Sequence, residues 1–150
     1  MSAVAKRAVP AEVPTSCGTL IINPKGQILL CHVTNANNWD IPKGTRDPGE
    51  ENFAAAMREL QEEAGITFPP EMFRELGGFE YGANKRLHLY MVHAPASLDN
   101  LDHLVCTSHF RCFKTGQMIP EMDGFCWANR ADVKKLCKPR MARMLLSFDW

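Results

Sequence analysis

The chain has 150 residues, of which 45% are hydrophobic and 23% charged, and these proportions are typical of one globular domain with one core. Its 17 basic and 17 acidic residues cancel, so the overall charge gives no reason to expect a stable nucleic-acid partner or an anionic membrane. The six cysteines form no CxxC pair and share no zinc-ligand spacing with histidine, which predicts reduced thiols and a cytoplasmic protein.

Residues 1–14, with Pro10 and Pro14, predict a flexible leader, and residues 15–150 predict a single domain. The start of the chain has two basic residues but no continuous apolar segment, so a signal peptide is not expected. Because no apolar run approaches the length that crosses a bilayer, no membrane partner is expected either.

Two β-rich runs come next. They are TSCGTLIIN and QILLCHV, and the NPKG turn between them predicts a β-hairpin. The following segments, TNANNW and DIPKGTRDPGE, contain polar residues, Pro and Gly that predict irregular loops.

The clearest predicted helix is EENFAAAMRELQEEA, which ends at Gly65 with Pro69 and Pro70 just beyond. Its apolar residues share one stripe at helical spacing and are expected to face the core. The stripe consists of Phe53, Ala56, Met57, Leu60 and Ala64.

The rest of the chain mixes strands with short helices. FRELGGFEY and RLHLYMVHA predict two strands joined by GANK, and PASLDNLDHLVCTS predicts an irregular or briefly helical segment. HFRCFKT and DGFCWAN predict two further strands around a loop, GQMIPEM, and RADVKKLC and ARMLLSF predict two final helices. This mixture favours an α+β fold or an α/β/α sandwich.

Three carboxylates crowd one part of the main helix: Glu59, Glu62 and Glu63 lie at i, i+3 and i+4, on the side away from the apolar stripe. Like charges at this spacing repel, and a hard cation such as Mg²⁺ reverses that repulsion because it binds oxygen ligands. A solvated acidic face is the alternative interpretation. Arg58 lies four residues before Glu62 and is placed to orient that carboxylate.

The sequence around these glutamates is GTRDPGEENFAAAMRELQEEAGI, residues 44–66. It resembles the Nudix box, G-x5-E-x7-R-E-U-x-E-E-x-G-U with U a bulky aliphatic residue, at every specified position. At a background usage of about 6–7% per fixed residue, a chance match is on the order of 10⁻⁹ per starting position. The matching residues are Gly44, Glu50, Arg58, Glu59, Leu60, Glu62, Glu63, Gly65 and Ile66.

This resemblance implies a Nudix-type α/β/α sandwich with a mixed sheet and a catalytic loop–helix–loop. It makes Glu59, Glu62, Glu63 and the backbone carbonyl of Gly44 the expected ligands of Mg²⁺, with Mn²⁺ as a substitute. Arg58 and Glu50 match the pair that orients the helix carboxylates in the family. The implied reaction is hydrolysis of a nucleoside diphosphate linked to another group, with Glu62 or Glu63 favoured as general base.

Flanking residues bear on the substrate. Lys43, in the stretch PKG, resembles a feature of the Nudix enzymes that split dinucleoside polyphosphates, although a solvated loop lysine is the alternative. In ANKRLHLYMV, Lys85 and Arg86 are candidate phosphate contacts. Tyr90 is a candidate sugar or base contact, and packing of its ring in the core is the alternative.

A third stretch, SHFRCFKTGQMIPEMDGFCW, is similar to a bacterial Nudix subgroup of nucleoside-polyphosphate or NTP pyrophosphohydrolases. Glu121 within it is a candidate metal ligand or base outside the box, or else a loop acid that caps the next strand. The matching residues are Gly116, Met118, Pro120, Glu121, Asp123 and Trp127.

The leading hypothesis is a Mg²⁺-dependent Nudix pyrophosphohydrolase with a small nucleotide substrate, and the PKG stretch slightly favours dinucleoside polyphosphates. A house-cleaning (d)NTP pyrophosphatase is the alternative. A module that senses a nucleotide without turnover, or an acidic helix that mediates assembly, is less favoured because the box is complete. The sequence leaves a homodimer open.

Overall fold

The fold is built around a buried strand that begins at Thr15. The computed structural model describes residues 13–150, so all but the last two residues of the predicted leader lie outside the described part of the chain. Its nine strands in chain order are β1 (Thr15–Ile22), β2 (Ile28–Val33), β3 (Trp39–Asp40), β4 (Lys43–Thr45), β5 (Phe73–Glu80), β6 (Arg86–His93), β7 (His109–Arg111), β8 (Met118–Pro120) and β9 (Met122–Ala128).

Seven of these strands form one mixed sheet, with the path β3-β2-β1-β6-β5. Two further strands join this path, because β4 pairs with β1 and β9 pairs with β2. β1 and β6 run parallel, and the other named pairs in this sheet are antiparallel. β7 and β8 form a separate two-stranded sheet.

The predicted first hairpin is confirmed, since β1 and β2 pair antiparallel. Asn23 organises its turn by accepting hydrogen bonds from the backbone N–H groups of Lys25 and Gln27 at 3.0 and 2.8 Å. Gly26 has a φ of 73°, a left-handed conformation that glycine adopts without steric cost.

The predicted main helix is α1 (Asn52–Ala64), and it packs on one face of the sheet. It ends at Gly65, whose φ is 70° and whose N–H donates to the carbonyl of Gln61 at 2.9 Å. Leu60 and Ala64 of the predicted stripe are buried against Ile21 and Leu29. The apolar stripe therefore does face the core.

Two shorter helices cover the opposite face of the sheet. They are α2 (Arg130–Leu136), which begins at an Asn129–Asp132 capping box, and α3 (Pro139–Leu146), which begins with a proline. Val133, Met141 and Leu145 pack there in one cluster with alternate residues of β1 and β6. Helices on both faces make the fold an α/β/α sandwich, as expected.

Three segments differ from the sequence prediction. The loop predicted after β2 contains β3 and β4, because pairing with β2 and β1 satisfies its backbone groups. The predicted strand at residues 109–115 stops at Arg111, and the loop predicted at 116–122 contains β8, which pairs with β7. Such pairings depend on partners distant in sequence and leave no local pattern.

All six cysteines are free thiols, which agrees with the predicted reduced state. Within residues 13–150, none of the helices has the length and apolar character that a bilayer crossing requires.

Candidate active site

The pairing of β4 with β1 carries the start of the Nudix-like loop against helix α1. Gly44 pairs with Cys17 in this register, and its Cα lies directly against Glu59. A Cβ atom built at residue 44 would overlap the Glu59 carboxylate. A side chain therefore cannot be accommodated there without moving that carboxylate.

One guanidinium holds three of the carboxylates. Arg58 donates from Nε and Nη2 to Glu50, each at 2.9 Å, and from Nη1 to Glu59 at 2.9 Å and Glu62 at 3.1 Å. Nη2 also donates to the carbonyl of Thr45 at 3.3 Å, which ties the helix to the loop after β4. The hydrogen bonds from Arg58 lower the pKa of Glu50 to about 2. Arg58 and Glu50 thus form a bidentate pair, and the resemblance implied that these two residues orient the helix carboxylates.

The predicted acidic face does not behave as a uniform solvated surface. Glu59 and Glu63 are buried, with Glu63 only 3% exposed, whereas the Glu62 side chain is 38% exposed. The reason is that β4 and its flanking residues cover this side of the helix. Oε1 of Glu63 accepts a hydrogen bond from the backbone N–H of Lys43 at 2.8 Å.

Burial raises the pKa of Glu63 to about 8, and the negative charges of Glu59 and Glu121 add to the shift against the opposing Lys43 contacts. Burial also raises the pKa of Glu59, although Arg58 opposes it. Two carboxylates are therefore held in surroundings where their negative charge is unfavourable. A cation beside them would remove that cost.

These groups line a cleft of about 480 Å³ between the start of β4, helix α1 and the segment before β9. The predicted residues that the cleft brings together are Lys43, Gly44, Glu59, Glu63, Lys85 and Glu121. Sequence reasoning missed Ser16, Asn38, Asp40 and Lys138, which also line it. They come from three separate parts of the chain, so no single local motif identifies them.

Lys43 is not a solvated loop lysine. Its ammonium lies 3.1 Å from Oδ2 of Asp40, and both side chains are largely buried. Burial opposes the charge on Lys43, but the charge and hydrogen bond of Asp40, followed by the charge of Glu63, raise the pKa of Lys43 overall. The lysine is therefore a fixed cation beside the two buried glutamates.

Of the candidate phosphate contacts Lys85 and Arg86, only Lys85 lines the cleft. Arg86 lines a pocket of about 530 Å³ together with Arg46 and His88. Lys85 and Arg86 also both border a smaller pocket of about 290 Å³ beside Gly82.

Tyr90 packs in the core, 5% exposed, among Cys17, Ala55 and Ala56. Its ring lies 5.3 Å from that of Phe53. It is outside the set of described residues that line the cleft. The packing alternative therefore accounts for this residue.

Within residues 13–150, no group of three or more His, Cys, Asp or Glu side chains is already arranged as a metal site. In this structure Arg58 donates hydrogen bonds to Glu59 and Glu62, and the backbone N–H of Lys43 donates one to Glu63. The donor chemistry nevertheless fits a hard divalent cation, because buried carboxylate oxygens with raised pKa values face one cleft.

Comparison with known proteins agrees with this geometry. Residues 13–148 match the sequence profile of the NUDIX domain. The chain is 35% identical over 139 residues to an uncharacterized 17.7 kDa protein in the e-segB intergenic region of Enterobacteria phage T4, covering 87% of this chain and 91% of the phage protein.

Two further similarities are more limited. An RNA pyrophosphohydrolase of Bradyrhizobium diazoefficiens is 37% identical over 59 residues, which is 35% of each chain. The crystal structure of a C. elegans Ap4A hydrolase binary complex aligns with a TM-score of 0.60 at 23% identity, over 89% of this chain and 96% of that one, and this likeness concerns the fold. The profile match over nearly the whole described chain shows that this protein belongs to the Nudix family, whose hydrolases act on phosphoanhydride bonds.

Proposed function

We propose that the protein is a Mg²⁺-dependent pyrophosphohydrolase that cleaves a phosphoanhydride bond of dinucleoside polyphosphates. The observation that carries the proposal is the pair of buried glutamates, Glu59 and Glu63, facing one cleft beside the fixed cation Lys43. Buried carboxylates with raised pKa values serve catalysis more readily than they serve stability.

Glu59, Glu62, Glu63 and the carbonyl of Gly44 would hold the cation, with Glu121 as a further oxygen donor from outside the helix. Mg²⁺ bound there would stabilise charge on the phosphate oxygens and provide a water of lowered pKa. Mn²⁺ would substitute because it accepts the same oxygen ligands.

The remaining roles belong to the chain itself. Arg58, fixed by Glu50, would orient Glu59 and Glu62 toward the bound cation. Glu62 or Glu63 would take the proton of the attacking water. On Glu63 the accepting atom would be Oε2, because Oε1 is engaged by the Lys43 N–H.

Support for the substrate comes from the cations of the cleft. Lys43, Lys85 and Lys138 all line it, which suits a chain of several phosphates better than a single diphosphate. The C. elegans Ap4A hydrolase shares the fold, and the PKG stretch resembles enzymes of that activity. Arg86 and Tyr90 take no part in this proposal because they lie away from the cleft.

A substrate panel tests the proposal. Diadenosine tetraphosphate, NTPs, oxidised dNTPs, nucleotide sugars and RNA with a 5′-triphosphate or cap would be assayed with Mg²⁺ and their products identified. We expect the highest kcat/KM, by about tenfold or more, for diadenosine tetraphosphate. Preference for an NTP with release of pyrophosphate would favour the house-cleaning alternative, and preference for RNA would favour the activity named for the Bradyrhizobium relative. Binding without turnover of any compound would indicate a sensing module.

A further inference from the structure

An exposed aromatic residue stands on the hairpin that precedes Glu121. Phe113 is 99% exposed, the highest exposure among the large hydrophobic residues of the described chain that are exposed. Met118, on the facing strand, is 56% exposed. Nothing in the packing of the fold requires a fully exposed phenylalanine, and such residues often mark binding surfaces.

The turn that carries Phe113, residues 112–117, is internally hydrogen-bonded. The N–H of Cys112 donates to the carbonyl of Gln117 at 2.7 Å, and the N–H of Gly116 donates to the carbonyl of Cys112 at 2.8 Å. Nη1 of Arg111 donates to the carbonyl of Gly116 at 2.6 Å. Phe113 is therefore presented on a defined turn, which reduces the entropy lost when a ligand stacks on it.

The hairpin is locally basic, although the chain as a whole has no net charge. Residues 103–120 include Arg111 and Lys114 but no Asp or Glu. An aromatic ring next to cations is the combination that binds nucleotides, since the ring stacks on the base and the cations meet phosphate.

The hairpin adjoins the catalytic cleft. The N–H of Glu121 donates to the carbonyl of Ser108 at 3.0 Å, which fixes the base of the hairpin beside that glutamate. Asn35 contacts Sγ of Cys112 at 3.9 Å, and Asn35, Phe110, Phe113 and Lys114 line a groove of about 540 Å³.

The groove and the cleft share one wall, the turn at residues 33–38. Val33, Ala36 and Asn38 line the cleft, while Asn35 of the same turn lines the groove. The cleft and the groove therefore adjoin at this short turn.

We propose that the groove beside Phe113 binds the second nucleobase of a dinucleoside polyphosphate, with the base stacked on the Phe113 ring and Lys114 near the phosphate chain. This inference rests on the proposed function, because it places the half of the substrate that the catalytic cleft does not hold. A long RNA is disfavoured as occupant because the hairpin supplies only two permanent cations.

Substitution of Phe113 provides a clean test, since a fully exposed side chain contributes little to folding. Steady-state hydrolysis and calorimetric binding of diadenosine tetraphosphate would be compared for the native chain, Phe113→Ala and Phe113→Trp. We expect Phe113→Ala to raise KM and Kd about tenfold with kcat nearly unchanged, and Phe113→Trp to retain native values. Val105→Ala, at another exposed apolar residue, is the matched control and should have no effect.

ATP, a ligand with one base, provides the second arm. Its Kd should be the same for native protein and Phe113→Ala, because it has no second base to stack. If Phe113→Ala leaves the KM of diadenosine tetraphosphate unchanged, or weakens ATP equally, the inference is wrong while the proposed function stands. If the native protein neither binds nor hydrolyses diadenosine tetraphosphate, the proposed function fails first. A Phe113→Ala defect confined to RNA substrates, or to self-association in sedimentation, would assign the groove to that partner instead.

Discussion

Arg58 donates two parallel hydrogen bonds to Glu50, from Nε to Oε2 and from Nη2 to Oε1, each 2.9 Å long. The remaining nitrogen of the same guanidinium bonds Glu59 and Glu62. Glu50 therefore positions the Arg58 guanidinium, which in turn orients the carboxylates of Glu59 and Glu62. Its effect on the cleft is indirect, through Arg58.

Replacing Glu50 with Gln should destabilise the protein by about 2 kcal/mol at pH 7, because a charge-assisted bidentate pair is lost. Arg58 holds the pKa of Glu50 at about 2, below its ordinary value of 4.5. Because the pKa of Glu50 is lower in the folded state than in the unfolded state, the pair contributes its full stabilisation above the unfolded-state pKa. This stabilisation is lost as the pH falls from 4.5 towards about 2. Denaturant unfolding at pH 7 and pH 3 measures the difference in the free energy of unfolding between the native protein and Glu50→Gln. This difference should be smaller at pH 3.

Glu51→Gln is the matched control, since Glu51 is the neighbouring exposed acid at the start of helix α1. It should change the free energy of unfolding by less than about 0.5 kcal/mol. If both variants lost the same free energy of unfolding at pH 7 and pH 3, a stabilising Glu50–Arg58 pair would be contradicted.

Gly44→Ala should abolish most activity, because the new Cβ would displace the Glu59 carboxylate. We expect kcat/KM to fall at least about 100-fold, the scale of a misplaced catalytic group. Gly78→Ala is the control, since its Cβ would meet only the ends of the His88 and Arg86 side chains, at 3.3 and 3.4 Å. Activity of Gly44→Ala close to native would show that the contact has no role in the chemistry.

Lys43→Met should raise KM about tenfold, since it removes a buried cation from the cleft and leaves Asp40 without its 3.1 Å partner. Lys25→Met is the control, because Lys25 is exposed and pairs with Asp99 far from the cleft. Steady-state kinetics on the preferred substrate separates KM from kcat. A KM equal to the native value would assign Lys43 a structural role through Asp40 alone.

Tyr90→Phe should leave KM within about twofold, because the buried ring packs against Phe53 and the hydroxyl serves no ligand. Tyr90→Ala should cost about 3 kcal/mol of stability, the scale of a buried aromatic cavity. Thermal unfolding and kinetics together give both quantities. A large KM increase in Tyr90→Phe would instead support the hypothesis that Tyr90 contacts the sugar or base of the substrate.

Local spacing predicts the helix, and the resemblance to the Nudix box implies the Arg58–Glu50 pair. Helical periodicity places Leu60 and Ala64 in the core, and the box motif places Arg58 eight residues after Glu50. The burial of Glu59 and Glu63 could not be predicted in this way. It depends on the pairing of β4 with β1, which places Lys43 and Gly44 against Glu63 and Glu59 of the helix. This pairing joins segments that are far apart in the chain.

The same limit explains the residues that were missed. Lys138 and Asp40 both reach the cleft, yet one precedes the last helix and the other ends a two-residue strand. The exposure of Phe113 was also hidden, because HFRCFKT has a pattern compatible with an ordinary half-buried strand. The placement of these side chains depends on tertiary packing, which cannot be predicted from short sequence patterns.

Glu63→Gln tests the central claim most directly. The amide oxygen can still accept the Lys43 N–H, and because the raised pKa of Glu63, about 8, keeps this carboxyl largely neutral near pH 7 without a metal, the exchange should change the stability of the metal-free fold little. Glu71→Gln, an exposed acid outside the cleft, is the control. The measurement is hydrolysis of diadenosine tetraphosphate by all three proteins, with Mg²⁺ and with EDTA. We predict Mg²⁺-dependent turnover in the native and Glu71→Gln proteins and a loss of at least about 100-fold in Glu63→Gln. Turnover that persists in Glu63→Gln, or that is indifferent to EDTA, would contradict a metal-dependent reaction at this pair of buried glutamates.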